Sequence, residues 1–390
     1  MKHAYFDYAA ATPLDPDVLT VMQPYFSDEF YNPSALYQPA RAVRKKIDEV
    51  RASIARHSGV NSSGVYFTAG TTEANNLLLK GLASQFDTPK FIISAVEHES
   101  VSRPAELLAE TNEIELAVAP VNYQGEIEFE QIKQLIDDNT VLISIILVNN
   151  ETGVIQQLGQ LKQLCEQIEQ QRKANGNHLP LLIHSDAAQA PGIMPLKLNK
   201  LGLDVVSISA AKIYGPKQSA ALLAARPLEL SPLIAGGTQE RGVRAGTENV
   251  ASIVGLEAAL NKTAAVRSEQ VESLKALQSA FESALVQHFP DTIIHSQAAP
   301  RAPHISNVVI PDVNDGERLV MELDQRGFLA ATGSACTAGD GKPSSIITAM
   351  TGDDIQAAAS LRVSFGRHTS EADTKGLVAA LRDIVDEGLV

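Results

Sequence analysis

Between residues 60 and 225 the chain alternates two textures. Short apolar runs recur at Val65-Tyr66-Phe67-Thr68, Phe91-Ile92-Ile93-Ser94, residues 141–148, Leu181-Leu182-Ile183-His184, Val205-Val206-Ser207-Ile208 and Ala220-Ala221-Leu222-Leu223. Several have no polar face, as expected of strands covered by helices on both sides. The stretches between them, such as residues 158–171, carry helical spacing and charge. Strand and helix in alternation predict an α/β fold with a mainly parallel sheet.

Past residue 248 the texture changes. Residues 249–285 contain one Gly and no Pro, which predicts a long helix or a helix pair. A strand at Val308-Val309-Ile310, a helix over residues 316–326, a strand over residues 361–365 and a last helix from Ser370 follow. This pattern suits a smaller α+β domain packed on the first.

Composition narrows the picture. The chain has 390 residues, 44% of them hydrophobic, and a formal net charge of −14. That charge argues against nucleic acid held by general electrostatics. Only two cysteines occur, Cys165 and Cys336, so no disulfide framework is expected and a reducing cytoplasm is. The N-terminus has no apolar signal region, and no apolar run reaches the roughly 18 residues of a membrane span.

Three local patterns carry chemistry. His184-Ser185-Asp186-Ala187-Ala188-Gln189 puts an acid at the end of an apolar strand, where open α/β sheets bind ligands. A helix-capping Asp is the plainer reading of the hexapeptide alone. Lys212 follows the next strand, within Ser209-Ala210-Ala211-Lys212-Ile213-Tyr214-Gly215-Pro216-Lys217. An apolar setting disfavours an ammonium and turns a lysine into a usable nucleophile. Lys217 competes for that role on these grounds, and either lysine could simply lie on the surface. Thr68-Ala69-Gly70-Thr71-Thr72-Glu73 runs from strand through a small-residue turn into a helix start, a site suited to phosphate. Glu73 there also complements the helix dipole. Acid, amine and phosphate cradle over one sheet edge meet the needs of pyridoxal 5′-phosphate.

Cys336 sits among small residues in Gly333-Ser334-Ala335-Cys336-Thr337-Ala338-Gly339. Such a stretch predicts an exposed, mobile loop, and a thiol placed there reads as a nucleophile rather than as packing. Cys165, in an apolar helical setting, reads as inert.

Taken in order, these motifs resemble the cysteine desulfurases of the class V aminotransferase family, fold-type I pyridoxal-phosphate enzymes, in the longer-loop branch. The resemblance extends through Tyr5-Phe6-Asp7-Tyr8, Glu97-His98, Asn149-Asn150-Glu151-Thr152-Gly153, residues 236–247, Gly333 to Cys336 and Leu361 to Arg367. It implies a large cofactor-binding domain over residues 14–258, with a sheet of the seven-stranded type between helices. It also implies a small domain built from residues 1–13 and 259–390. It implies that Lys212 is the covalent lysine, that Asp186 pairs with the pyridinium nitrogen and that Gln189 donates to the ring hydroxyl. The resemblance further implies that His98 stacks on the ring and helps move protons as a catalytic residue, that Thr71, Thr72 and Ser209 bind phosphate, and that Thr247 reaches the phosphate of the neighbouring subunit in a homodimer. Asn150, also beside the cofactor, and Arg362 hold the carboxylate of L-cysteine, for which a planar guanidinium is apt. By themselves His98 could be a plain buried histidine and Arg362 a structural ion pair.

The implied reaction turns L-cysteine into L-alanine and leaves sulfur on Cys336 as a persulfide. An acceptor protein for iron–sulfur cluster assembly or tRNA thiolation then takes the sulfur. Neither a metal, a membrane nor direct nucleic-acid contact is expected. Two departures stand out: Ala211 replaces a phosphate-binding His, and Gln218 replaces a Gly. The short stretch after the last helix makes the usual iron–sulfur scaffold a less certain partner. Rival readings on the same fold are a selenocysteine or cystine lyase and an aminotransferase; a non-enzymatic sulfur-transfer scaffold is a third.

Overall fold

The computed structural model describes residues 3–333 and 342–390, so Cys336 and its expected loop lie outside the described residues. Twelve strands are described: β1 (Ala4–Tyr5), β2 (Val65–Thr68), β3 (Lys90–Ser94), β4 (Glu115–Ala119), β5 (Thr140–Ser144), β6 (Leu182–Asp186), β7 (Val205–Ser209), β8 (Ala220–Ala224), β9 (Ile293–Ile294), β10 (Ile305–Val309), β11 (Phe328–Leu329) and β12 (Leu361–Ser364). Seven form the main sheet in the order β2-β8-β7-β6-β5-β3-β4. Only β8 runs against the others, being antiparallel to both β2 and β7. The expected α/β fold with a mainly parallel sheet is what forms.

Every residue of β2, β5, β6, β7 and β8 is buried, as strands covered on both faces require, and their buried polar members, such as His184, Asp186 and Ser207, are hydrogen-bonded. Successive residues serve opposite faces: Ile92 packs in one core cluster, Phe91 and Ile93 in the other. The helix Thr71–Ala83 and the helix Glu99–Glu110 cover the second face. The helix Gln38–Ser58 and the start of the helix Val250–His288 contribute to the first.

Two strand expectations need correction. β4 was not expected; it is a half-exposed edge strand whose alanines give little β signal. The run 141–148 ends its regular ladder at Ser144, although Ile145 and Leu147 still donate their N–H groups to the carbonyls of His184 and Asp186.

A third cluster gathers β10, β12, the helix Gly316–Gln325 and the helix Glu371–Asp386. Residues 250–288 form one helix rather than two. Asn249 caps it, accepting from the Ser252 N–H at 3.1 Å. Its first turns pack in the main core and its last, through Leu274, Leu277, Phe281 and Leu285, in the third cluster.

Two smaller sheets stand beside the main one, β12-β10-β9 and β1-β11, and the N-terminal segment links all three. β1 pairs in parallel with β11, and the Ala9 N–H donates to Ser364 Oγ at 2.9 Å. Further on, Thr12 donates from N and Oγ1 to the Ala211 carbonyl, each at 3.0 Å. This path brings the carbonyls of Ala9 and Ala10 to the C-terminal edge of the main sheet. Among the described residues no helix is long and apolar enough to cross a membrane.

Candidate active site

β2, β3, β6 and β7 end on one edge of the main sheet, and a cavity of about 310 Å³ opens there. Thr71, Thr72, His98, Asn150, Asp186, Gln189, Ser209, Lys212 and Arg362 all line it. The structure therefore gathers every described site residue expected from sequence except Thr247. That residue is exposed beside an adjoining cavity of about 200 Å³, which shares Ala69 and Gln218 with the first.

Asp186 ends β6 and is 4% exposed. Its Oδ1 accepts from the Ala188 N–H at 3.0 Å, a local turn of the kind short acidic side chains favour. Its Oδ2 accepts from Asn75 Nδ2 at 2.8 Å. Asn75 is fully buried and also donates to Ser100 Oγ at 2.9 Å. Ser100 Oγ lies 2.9 Å from His98 Nδ1, and the Ser100 N–H donates to that nitrogen at 3.0 Å. Nδ1 is thus an acceptor, which places the proton of a neutral His98 on Nε2. One hydrogen-bonded chain joins the two groups expected to handle the cofactor ring.

The chain continues under the sheet. Ser207 Oγ donates to Asn75 Oδ1 and lies 3.3 Å from His184 Nε2, and His184 Nδ1 lies 2.9 Å from Ser144 Oγ. Burial pushes His184 down to about 4, so this imidazole is held neutral under the sheet. Glu97 lies beside it, its Oε1 accepting from Ser94 Oγ at 2.8 Å and from the Ile146 N–H at 2.6 Å. Burial first, and the Asp186 charge after its hydrogen bond to Ser94, set its carboxyl at about 8.

Lys212 closes a short 3₁₀ turn, Ala210–Lys212, that follows β7 directly. Its Nζ donates to the Ala10 carbonyl. Lys217 also lines the cavity but is exposed, its Nζ donating to the Thr12 carbonyl at 2.9 Å. The two lysines thus differ in burial, Lys212 being half-buried. Ala211 offers no polar side chain to the cavity. Gln218 adopts φ 57°, in the left-handed region where glycine is at ease.

Thr71 and Thr72 open a 13-residue helix after Gly70, so its first N–H groups and two hydroxyls lie at the cavity. Ser209 Oγ stands near, capping the Ala211 N–H at 3.3 Å. On the other wall Arg362 is 2% exposed. Its Nη2 donates to Asp7 Oδ1 at 2.7 Å and its Nη1 to the Asn150 carbonyl at 3.1 Å. Its Nε and the Asn150 Oδ1 have no hydrogen-bond partner among the described residues. Arg362 is thus a structural ion pair and a wall of the cavity at once. The described flanks of the Cys336 segment both meet Glu151, next to Asn150. Ser344 Oγ donates to its carboxylate at 2.5 Å, and a Cβ added at Gly333 would come within 3.3 Å of that same carboxylate.

Asn75, Ser100 and His304 are site-supporting residues that sequence reasoning missed. Asn75 had a signal, for it shares a helix face with Leu78, Leu79 and Leu82. His304 had none, because its partner Gln189 is 115 residues away.

The chain that carries this edge, with its strand-terminal acid, lysine turn and helix N-terminus, belongs to the aminotransferase class-V family, whose profile matches residues 4–377. Within that family the chain belongs with the cysteine desulfurases. "Cysteine desulfurase IscS" of Dictyoglomus turgidum is 33% identical over 388 residues, covering 99% of this chain and 95% of its own. A solved "NIFS-LIKE PROTEIN" superimposes with a TM-score of 0.88 at 27% identity, over 99% of this chain and 100% of that one. A structure of SspA in complex with cysteine does so with a TM-score of 0.80 at 30% identity, over 94% and 100%.

Proposed function

We propose that this chain is a pyridoxal-phosphate-dependent cysteine desulfurase that turns L-cysteine into L-alanine and holds the released sulfur on Cys336. One observation carries the reading: Lys212, Asp186, the Thr71–Thr72 helix start and Arg362 line a single cavity. The donor set fits the cofactor in kind, offering an amine, a buried carboxylate and an anion cradle on separate walls.

Lys212 is the residue to hold the cofactor covalently, and Thr71, Thr72 and Ser209 its phosphate. When bound, pyridoxal phosphate draws electron density from the substrate Cα. Asp186 would offer its carboxylate to the ring nitrogen, and Asn75 and the Ala188 N–H keep that carboxylate aimed. Gln189 would donate to the ring hydroxyl, and His98 would cover the ring. Arg362 and Asn150 would hold the substrate carboxylate in the cavity that Lys212 also lines, leaving that amine to take the Cα proton. Cys336, as thiolate, attacks the substrate sulfur. The S–S bond forms as the C–S bond breaks, its electron pair passes to carbon, and alanine leaves once that carbon takes a proton. We also infer a homodimer in which Thr247 completes the neighbour's phosphate site; its exposure beside a second cavity supports this. The persulfide sulfur goes to an acceptor protein for iron–sulfur cluster assembly or tRNA thiolation.

The choice of lysine is tested by the visible absorption of protein purified with pyridoxal phosphate. Lys212→Ala is expected to lose the protein-linked cofactor band and Lys217→Ala to keep it. The reverse pattern would overturn the assignment.

A further inference from the structure

We propose that His304 is a positioning residue for the cofactor site, holding the Gln189 amide in one orientation through a hydrogen bond from its Nε2 to Gln189 Oε1. The inference rests on the reading of Gln189 as a contact to the cofactor.

Gln189 Nε2 donates to the Ala9 carbonyl at 2.8 Å. A carbonyl can only accept, so the amide nitrogen must face Ala9 and the amide oxygen must face the other way. There it meets His304 Nε2 at 3.1 Å. An oxygen acceptor at that distance requires the proton on Nε2, which fixes the imidazole tautomer as well. Gln189 is left with one amide N–H for a ligand in the cavity it shares with Asp186 and Lys212.

His304 is well placed to serve as a fixed point. It is 8% exposed, immediately precedes β10, and its carbonyl accepts from the Phe365 N–H at 2.9 Å. Burial holds the ring neutral, at about 4. Its Nδ1 is then an acceptor, with no partner among the described residues, and the same is true of Gln270 Oε1. Both residues line a small cavity of about 30 Å³ that also touches Lys212, Gln189 and Thr12. That volume suits one water molecule, whose two O–H groups match two buried acceptors. The polar support of Gln189 therefore comes from the N-terminal segment at Ala9 and from His304, just before β10, rather than from the strands that present Asp186 and Lys212.

The test uses holoenzyme reconstituted with pyridoxal phosphate. It reads the position of the cofactor absorption band and the cofactor dissociation constant in Gln189→Ala, His304→Leu, His304→Gln and the Gln189→Ala/His304→Leu double variant. His304→Leu is expected to shift the band in the same direction as Gln189→Ala and to weaken cofactor binding about tenfold. The double variant should be no worse than Gln189→Ala alone. His304→Gln, whose amide nitrogen can stand in for Nε2, should restore the wild-type band. If Gln189→Ala shifts the band and His304→Leu does not, or if the two effects add, the positioning role is wrong. If Gln189→Ala itself leaves the band unmoved, the reading of Gln189 fails and the inference with it. Nitrogen-15 spectra of histidine-labelled wild-type holoenzyme give an answer independent of folding defects in variants. A protonated Nε2 on His304 is expected, and a protonated Nδ1 with bare Nε2 would overturn the proposal.

Discussion

Asp7 and Arg362, 355 residues apart in sequence, form an ion pair at 2.7 Å that is almost wholly out of solvent on the arginine side. The pair ties the N-terminal segment to β12 and leaves the guanidinium on the wall of the site. Geometry thus gives Arg362 an orientation before substrate arrives, which reduces the cost of binding a carboxylate.

Arg362→Gln should raise KM for L-cysteine by roughly a hundredfold, because a buried charge partner for the carboxylate is lost. Arg362→Lys keeps the charge without the planar fork and should fall between. Asp7→Asn frees the guanidinium to swing and should raise KM more modestly, with kcat less affected. Steady-state kinetics over a range of L-cysteine concentrations separate these cases. A KM unchanged in Arg362→Gln would remove that residue from substrate binding.

Asn75 supplies the only side-chain N–H described on Asp186. Asn75→Leu leaves a buried carboxylate oxygen short of a donor and should cost about 1–3 kcal/mol of stability. Asn75→Asp should be worse, since a second carboxylate would face the first in a buried site. Urea unfolding of the two variants against wild type checks the order. Equal stability in all three would mean that the Asn75–Asp186 bond carries no weight.

The buried histidines predict an acid sensitivity. His184 and His304 titrate near 4 in the fold and near 6.5 when unfolded. Between those values the unfolded chain binds protons that the folded chain does not, so stability falls as pH drops from about 6.5 toward 4. Glu97 acts in the opposite sense. Its folded carboxyl, at about 8, keeps a proton that the unfolded group gives up near 4.5, so its contribution is lost as pH rises through that window. Wild type should lose more stability than His184→Gln between pH 7 and pH 5 in urea titrations. Parallel losses would assign the acid effect elsewhere.

Cys165 is 1% exposed, and burial, reinforced by the Asp204 charge, raises its thiol to about 12. The Cys336→Ser variant should therefore take up no thiol reagent until it is unfolded. Rapid modification of the folded variant would contradict the inert reading of Cys165.

Much of this was legible in the chain itself, for identifiable reasons. Strands such as residues 205–209 carry apolar side chains to both faces, and nothing else in a parallel sheet looks like that. Asp186 and Lys212 could be placed because one ends an apolar strand and the other closes the short turn after the next, so their position on the sheet edge is set by the backbone. β4 could not, since an edge strand needs only alternate burial and Ala117 and Ala119 give a weak signal. Asn75 reads like its exposed-side neighbour Asn76 unless the helix face is traced. His304 and Ser100 act through contacts that only the folded chain creates. The single helix over residues 250–288 shows the converse: without a Pro, one long run can serve two cores.

The most direct test is product analysis from L-cysteine in the presence of reductant and pyridoxal phosphate, for wild type, Lys212→Ala and Cys336→Ser. Wild type should release alanine and sulfide in equal amounts. Both variants should release neither, with Cys336→Ser keeping the cofactor band. Sulfide and alanine from Cys336→Ser at the wild-type rate, or wild type that binds cofactor and makes no alanine, would contradict sulfur transfer through Cys336.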